Sequence, residues 1–231
     1  MKERLEKRMA LNFPYKHVNE LPRDIPIFPL AGALLLPRVE LPLSIFEPRY
    51  VSMVDMALNS HRLIGMVQPA LDGISDNARP PIAGIGCLGR ITSFQEAGDG
   101  RYYITLTGII RYRIERELDV VTLFRQAHVS YDAYAADLQP GAGENDVNRR
   151  KLLETFQRYL DAHQMEADWR SVNDAPNEPL VNALSMMAPY GPREKQALLE
   201  AKTLYDRSEM LIAMTELSLT HTTAGVGERL N

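Results

Sequence analysis

The sequence predicts an α+β chain: a mostly β N-terminal part followed by a helical C-terminal part. Three observations carry this. Proline recurs at positions 26, 29, 37, 42 and 48, so no helix can run through that stretch. Apolar residues alternate with charged ones at Ile110, Tyr112 and Ile114, the period of a strand with one wet face. After Glu144 the apolar spacing changes to that of helices.

Taken in order, Met1–Ala10 is charged throughout and reads as an arm, which we extend to residue 24. Ile25–Leu30, Ala33–Leu36 and Leu41–Ile45 read as brief strands between prolines. Pro48 sits where a first-turn proline opens a helix, with Tyr50, Val51, Val54 and Leu58 as its face and Asn59-Ser60 as its end. β structure resumes at Leu63 with the short apolar run LIGMVQP (63–69), and residues 70–80 read as a polar loop. Ile91–Phe94 and Tyr102–Leu106 flank the turn signal Gly98-Asp99-Gly100, which predicts a hairpin. Phe124–Tyr131 is a further strand, and AADLQPGAGEND marks a boundary. The β part is thus placed at 25–140, the helical part at 141–221 and a tail at 222–231. Helices are expected around Leu152–Leu160, from Asn177-Glu178-Pro179, from Gly191-Pro192, and after Thr203–Asp206, which has the spacing of a capping box.

Composition narrows the function classes. The 26 basic and 30 acidic residues give no global attraction to phosphate backbones. A single cysteine, Cys87, precludes an internal disulfide and a multi-cysteine metal site. Histidines 17, 61, 128, 163 and 221 have no ligand spacing, so no metal is expected. No apolar run is long enough to span a bilayer, and the N-terminus lacks the apolar core of a secretory signal, so the expected location is cytoplasmic.

Several motifs imitate chemistry. Gly84-Ile85-Gly86-Cys87-Leu88-Gly89 is a literal G-x-G-x-x-G, yet Arg90-Ile91-Thr92-Ser93-Phe94 follows it. A dinucleotide site needs a helix N-terminus at that point, so we read a strand and a bend. Cys87 lies among small apolar residues and reads as a buried hydrophobe rather than a nucleophile. Glu115, Glu117 and Asp99 read as solvated strand ends rather than a paired acid and base. Arg111, Arg113 and Arg116 would be an RNA-facing ladder but for the interleaved Glu115, Glu117 and Asp119, so a solvated face is expected.

Three segments, in order, resemble the N-terminal substrate-binding domain of Lon proteases. They are IPIFPL…LPLSIFEPRY (25–50), IGCLGRI…DGRYYITLTGIIRYRI (85–114) and EPLVNALSMM…REKQALLEAKTLYDRSEML (178–211). At Cys87-Leu88-Gly89 the chain departs from the family's usual Thr-x-Ala. The resemblance implies a small PUA-like β-barrel with one or two helices, followed by an α-helical bundle. It also implies a non-catalytic module that recognises unfolded or extended polypeptide segments in protein quality control, alongside a protease or client protein, with no cofactor. The lysines at 2, 7, 16, 151, 195 and 202 sit in no P-loop, and the length leaves no room for a Ser–Lys peptidase, so an enzyme is not expected. The alternative is an RNA-binding PUA-like domain. A tryptophan-caged small-molecule site is the weaker third reading, since the one tryptophan, Trp169, falls in the helical half.

Within FEPRY, Glu47 and Arg49 suit a helix start, and Phe46 and Tyr50 are first of all expected in the core. The methionines of the helical part are likewise expected in its core, though adaptable enough for a contact surface. The candidate polypeptide-binding residues are Phe46, Arg49, Tyr50, Met186 and Met187.

Overall fold

The computed structural model describes residues 14–70 and 80–227, with side chains to residue 220. The chain forms two compact units that divide between Gln139 and Pro140. The charged stretch Met1–Ala10 and most of the 70–80 loop lie outside the described residues.

The first unit contains β1 (Asp24–Pro29), β2 (Glu40–Ile45), α1 (Pro48–Leu58), β3 (Leu63–Val67), β4 (Ile85–Glu96), β5 (Tyr102–Glu117) and β6 (Arg125–Ser130). Short 3-10 stretches precede and follow them at Val18–Glu20 and Asp132–Leu138. β1 pairs parallel with β3, and every other pairing is antiparallel. Because β6 pairs with both β1 and β5, the strands β1, β3, β4, β5 and β6 close into a near-barrel ring. Closure removes sheet edges, and with them rows of unpaired amides.

β4 and β5 are longer than the ring. Their distal halves, with β2 added beside β5, form a three-stranded flap. The hairpin bends where the register shifts at Leu88/Gly89 and again at Ile91/Ser93. Tyr102–Leu106 and the 110–114 alternation, read separately from the sequence, are parts of the one strand β5, joined across this bend. Beside the bend, Gly108 lets the Leu36–Pro37 connection pass close to β5, because a Cβ there would stand 2.0 Å from the Leu36 carbonyl oxygen. Ala33–Leu36, expected as a strand, has no strand pairing. It is an apolar connection whose Leu34, Leu35 and Leu36 are buried, leading into Arg38, whose N–H donates to Gly108 O (2.8 Å).

The core follows the two-residue period of the ring strands. Ile25 and Ile27 from β1, Leu63 and Val67 from β3, Leu88 from β4, Ile110 and Tyr112 from β5, and Ala127 and Val129 from β6 form one cluster. Tyr112 is fully buried and donates its hydroxyl to Met66 O (3.0 Å). Gly65 and Gly86 supply its space: a Cβ at either would meet the Tyr112 hydroxyl, at 2.7 and 2.4 Å. Gly86 of the G-x-G-x-x-G string is therefore a packing glycine inside a strand, and Cys87 beside it is 1% exposed.

The helical unit comprises α2 (Arg149–His163), α3 (Trp169–Asp174), α4 (Asn177–Met187), α5 (Pro192–Glu200) and α6 (Leu204–Gly227). The capping box before α6 forms as spaced: Asp206 N–H donates to Thr203 Oγ1 (3.0 Å), and Thr203 N–H and Oγ1–H both donate to Asp206 Oδ2 (3.1 and 2.8 Å). α3, too short for an apolar stripe, has no counterpart in the periodicity. Its Asp168 cap accepts from the Arg170 and Ser171 amides. Arg207 is buried, donating to Asn182 Oδ1 (2.8 Å) and Leu198 O (2.9 Å), which ties α6 to α4 and α5. Among the described residues no helix is long and apolar enough to cross a membrane.

Candidate functional site

α1 begins at Pro48, with Glu47 as its N-cap residue. Proline suits this place because its missing N–H is one that the first turn leaves unpaired. The first turn delivers Arg49 to the surface and Tyr50 to the interior, where Tyr50 packs at 4.2 Å between ring centroids against Phe28. Arg49 Nε donates to Glu47 Oε2 (2.9 Å), and its guanidinium lies over the Tyr50 ring at 4.5 Å. The two charges thus pair with each other at the helix start. Burial pushes the Tyr50 hydroxyl up from its ordinary value, Arg49 and Arg125 oppose that, and Glu47 adds to it.

Arg49 and Tyr50 line a cavity of about 270 Å³. Its other walls include Leu118, Leu123 and Phe124 from the β5–β6 connection, and Arg125 at the start of β6. Arg125 is held from two sides: Nε donates to Glu117 Oε2 (2.8 Å) and Nη1 to Pro80 O (2.7 Å). Both arginines of the cavity therefore already have carboxylate partners. What the cavity offers an incoming group is a mixed lining, with Leu118, Leu123 and Phe124 beside the paired charges of Arg49, Glu117 and Arg125.

Three large apolar side chains close in the chain to these residues stand exposed, where folding gains nothing from them. Phe46, expected in the core, is 65% exposed, because the chain turns at Glu47-Pro48 before its ring can enter the sheet interior. Leu123 is 70% exposed and Val121 fully so. The 118–124 connection was not singled out in the sequence, although its run Val120-Val121-Thr122-Leu123-Phe124 is unusually apolar for a loop.

Met186 and Met187 belong to the helical unit, on the last turn of α4. Met186 is half-buried, but Met187 is 80% exposed, against the expectation of a core methionine. The same unit carries an open groove of about 770 Å³ lined by Leu153, Arg158, Trp169 and Glu216. Trp169 lies 6.1 Å from Phe156, ring to ring.

The arginine ladder is not a uniform solvated face. Arg111 is buried, its Nε and Nη2 donating to Asp137 (2.8 and 2.9 Å) and its guanidinium lying 4.4 Å over Tyr134. Arg113 and Arg116 are exposed, Glu117 is engaged by Arg125, and Glu115 lies 3.7 Å from His128. Among the described residues no group of three His, Cys, Asp or Glu is arranged to hold a metal.

A near-barrel β unit carrying a flap, followed in the chain by a helical unit, is the architecture of the Lon N-terminal domain. The fold is shared with the Lon N-terminal domain protein of Xanthomonas campestris (TM-score 0.57, 22% identity, 82% of this chain and 97% of that one). It is shared equally with the N-terminal domain of the Mycobacterium avium complex Lon protease (TM-score 0.58, 15% identity, 84% and 98%). Residues 24–216 match the ATP-dependent protease La (LON) substrate-binding domain, and the chain belongs to that family. The Lon protease of Elusimicrobium minutum is 26% identical over 200 residues, covering 84% of this chain and 24% of that protease. That of Flavobacterium johnsoniae is 24% identical over 204 residues, 82% and 23%. The chain spans about a quarter of these relatives' length.

Proposed function

We propose that this protein is a non-catalytic polypeptide-recognition module that binds unfolded or extended segments in cytoplasmic protein quality control. The observation that carries the reading is the family match over residues 24–216, which takes in the whole β unit from β1 and most of the helical unit. The surface supports it. Leu123 in the wall of the 270 Å³ cavity and its near neighbour in the chain Val121 stand exposed, as does Phe46 just ahead of the Glu47–Arg49 turn, and the cavity's arginines are already satisfied. Such a site gains by taking apolar side chains out of water, which is tolerant of sequence. In the helical unit, Met187 adds a flexible, polarizable contact of the same tolerance.

The test is titration of the full chain with reduced, carboxymethylated α-lactalbumin, followed by fluorescence anisotropy. A saturable complex is expected, weakened roughly five- to tenfold by Phe46→Ala combined with Leu123→Ala, as for truncated interface anchors. Absence of binding at roughly 100 µM, an affinity weaker than about −5.5 kcal/mol, overturns the reading.

A further inference from the structure

We propose that the open edge of β4 over Phe94–Glu96 takes an extended, proline-free polypeptide segment as an added strand. This rests on the polypeptide-binding reading and gives it a second contact, made through main chain. In an antiparallel pair, successive residues turn their amide and carbonyl alternately toward the partner and away from it. Ala97 N–H donates to Arg101 O (2.8 Å), so Ala97, Gln95 and Ser93 face β5, while Phe94 and Glu96 turn outward. On that side β3 pairs with β4 only as far as Leu63↔Arg90, and Ile91 N–H still donates to Arg62 O (2.8 Å). Beyond it residues 92–96 are all exposed, and among the described residues no strand pairs with them on the side away from β5.

The flap's opposite edge is built differently. Gly108 N–H donates to Val39 O (2.9 Å), which turns Leu41, Leu43 and Ile45 toward β5 and Glu40, Pro42 and Ser44 outward. Proline thus occupies the middle outward position, where it has no N–H to offer a new strand. One edge of the flap is closed in this way, and the β4 edge has no such block.

The flanking side chains define the occupant. Phe94 is 42% exposed and meets Tyr102 edge-on at 5.0 Å, an aromatic shelf beside the open amides. On the other face, Ser93 and Gln95 border Tyr103, which is 43% exposed. An added strand would set its residues alternately against the shelf and against this polar face, so the occupant alternates apolar with small polar residues.

The experiment uses a lysine-flanked Val-Thr peptide of eight residues and two copies of it, each N-methylated on alternate amides so that between them both registers are blocked. Wild-type protein is expected to bind the plain peptide and at least one methylated copy about tenfold more weakly, the effect of removing hydrogen bonds made to the edge. Glu96→Pro, which copies the Pro42 device, should weaken the plain peptide about as much, and Glu96→Ala by less than about twofold. The methylated peptides need no variant, so the test survives if Glu96→Pro does not fold. Equal affinity for all three peptides overturns the strand, as does wild-type affinity in a folded Glu96→Pro. Should carboxymethylated α-lactalbumin still bind in either case, polypeptide recognition stands and only the strand falls. A concentration-dependent dimer of the free protein that Glu96→Pro abolishes also overturns it, since the edge's occupant is then a second copy.

Discussion

Gly86→Ala is the perturbation that most directly tests why the ring packs as it does. The added Cβ would lie 2.3 Å from Met66 O, 2.4 Å from the Tyr112 hydroxyl and 2.5 Å from Tyr112 Cζ. Met66 O belongs to the paired strand β3 and cannot retreat without breaking the sheet, so the ring must move. Tyr112 is fully buried, and its displacement would leave the hydroxyl that now reaches Met66 O without water to replace it. Overpacking costs about 1–3 kcal/mol and a buried hydroxyl deprived of its acceptor about 1–3 kcal/mol. Loss of glycine's freedom in the unfolded chain returns about 0.5–1 kcal/mol, for a net destabilisation of about 3 kcal/mol. In thermal unfolding that is a Tm lowered by about 10 °C. Gly84→Ala is the control: nothing lies within 4 Å of a Cβ there, and the expected change is within about 0.5 kcal/mol. A Gly86→Ala protein within about 1 kcal/mol of wild type in urea unfolding would refute the argument, because the ring would then have room that the distances deny it.

Asp137→Ala leaves Arg111 buried without its carboxylate and should cost about 3–5 kcal/mol, measured by the urea midpoint. Asp137 and Arg111 replaced together should cost less than the two separately, and simple additivity would show that they act independently. Burial drives the hydroxyls of Tyr112 and Tyr131 well above their ordinary value. Their neutral forms therefore stabilise the fold fully below the unfolded tyrosine pKa near 10, and this is lost as pH rises toward the folded values. Titration at 295 nm should show two of the ten tyrosines ionising only together with loss of circular dichroism, and ionisation of all ten in the folded protein would contradict this. Thr203→Ala removes one half of the capping box of α6 and should destabilise the helical unit by about 1 kcal/mol, whereas Thr203→Ser should restore most of it.

Local chemistry was legible wherever it acts over a few residues. Pro48 opens α1, Thr203 and Asp206 cap α6, and Gly98-Asp99-Gly100 turns the hairpin, because each needs only near neighbours. The cavity taken as the candidate site was half legible. Arg49 and Tyr50 do line a cavity, but Leu123, Phe124 and Arg125, which complete it, come from the other side of the sheet sequence and carry no motif. Phe46 was misplaced because hydrophobicity alone does not say on which side of a turn a ring falls.

The amino-acid order alone determined the division into β and helical parts, the starts of α1 and α6, and the family, through ordered strings that survive at low overall identity. Tertiary structure alone decided that β6 closes the ring, that Gly86 makes room for Tyr112 and Arg111 turns to Asp137, and that one flap edge carries Pro42 while the other, among the described residues, is unpaired. The physical reason is range. Backbone preference and periodicity are written in neighbouring residues, whereas packing and edge exposure depend on residues far apart in the chain that meet only once it has folded.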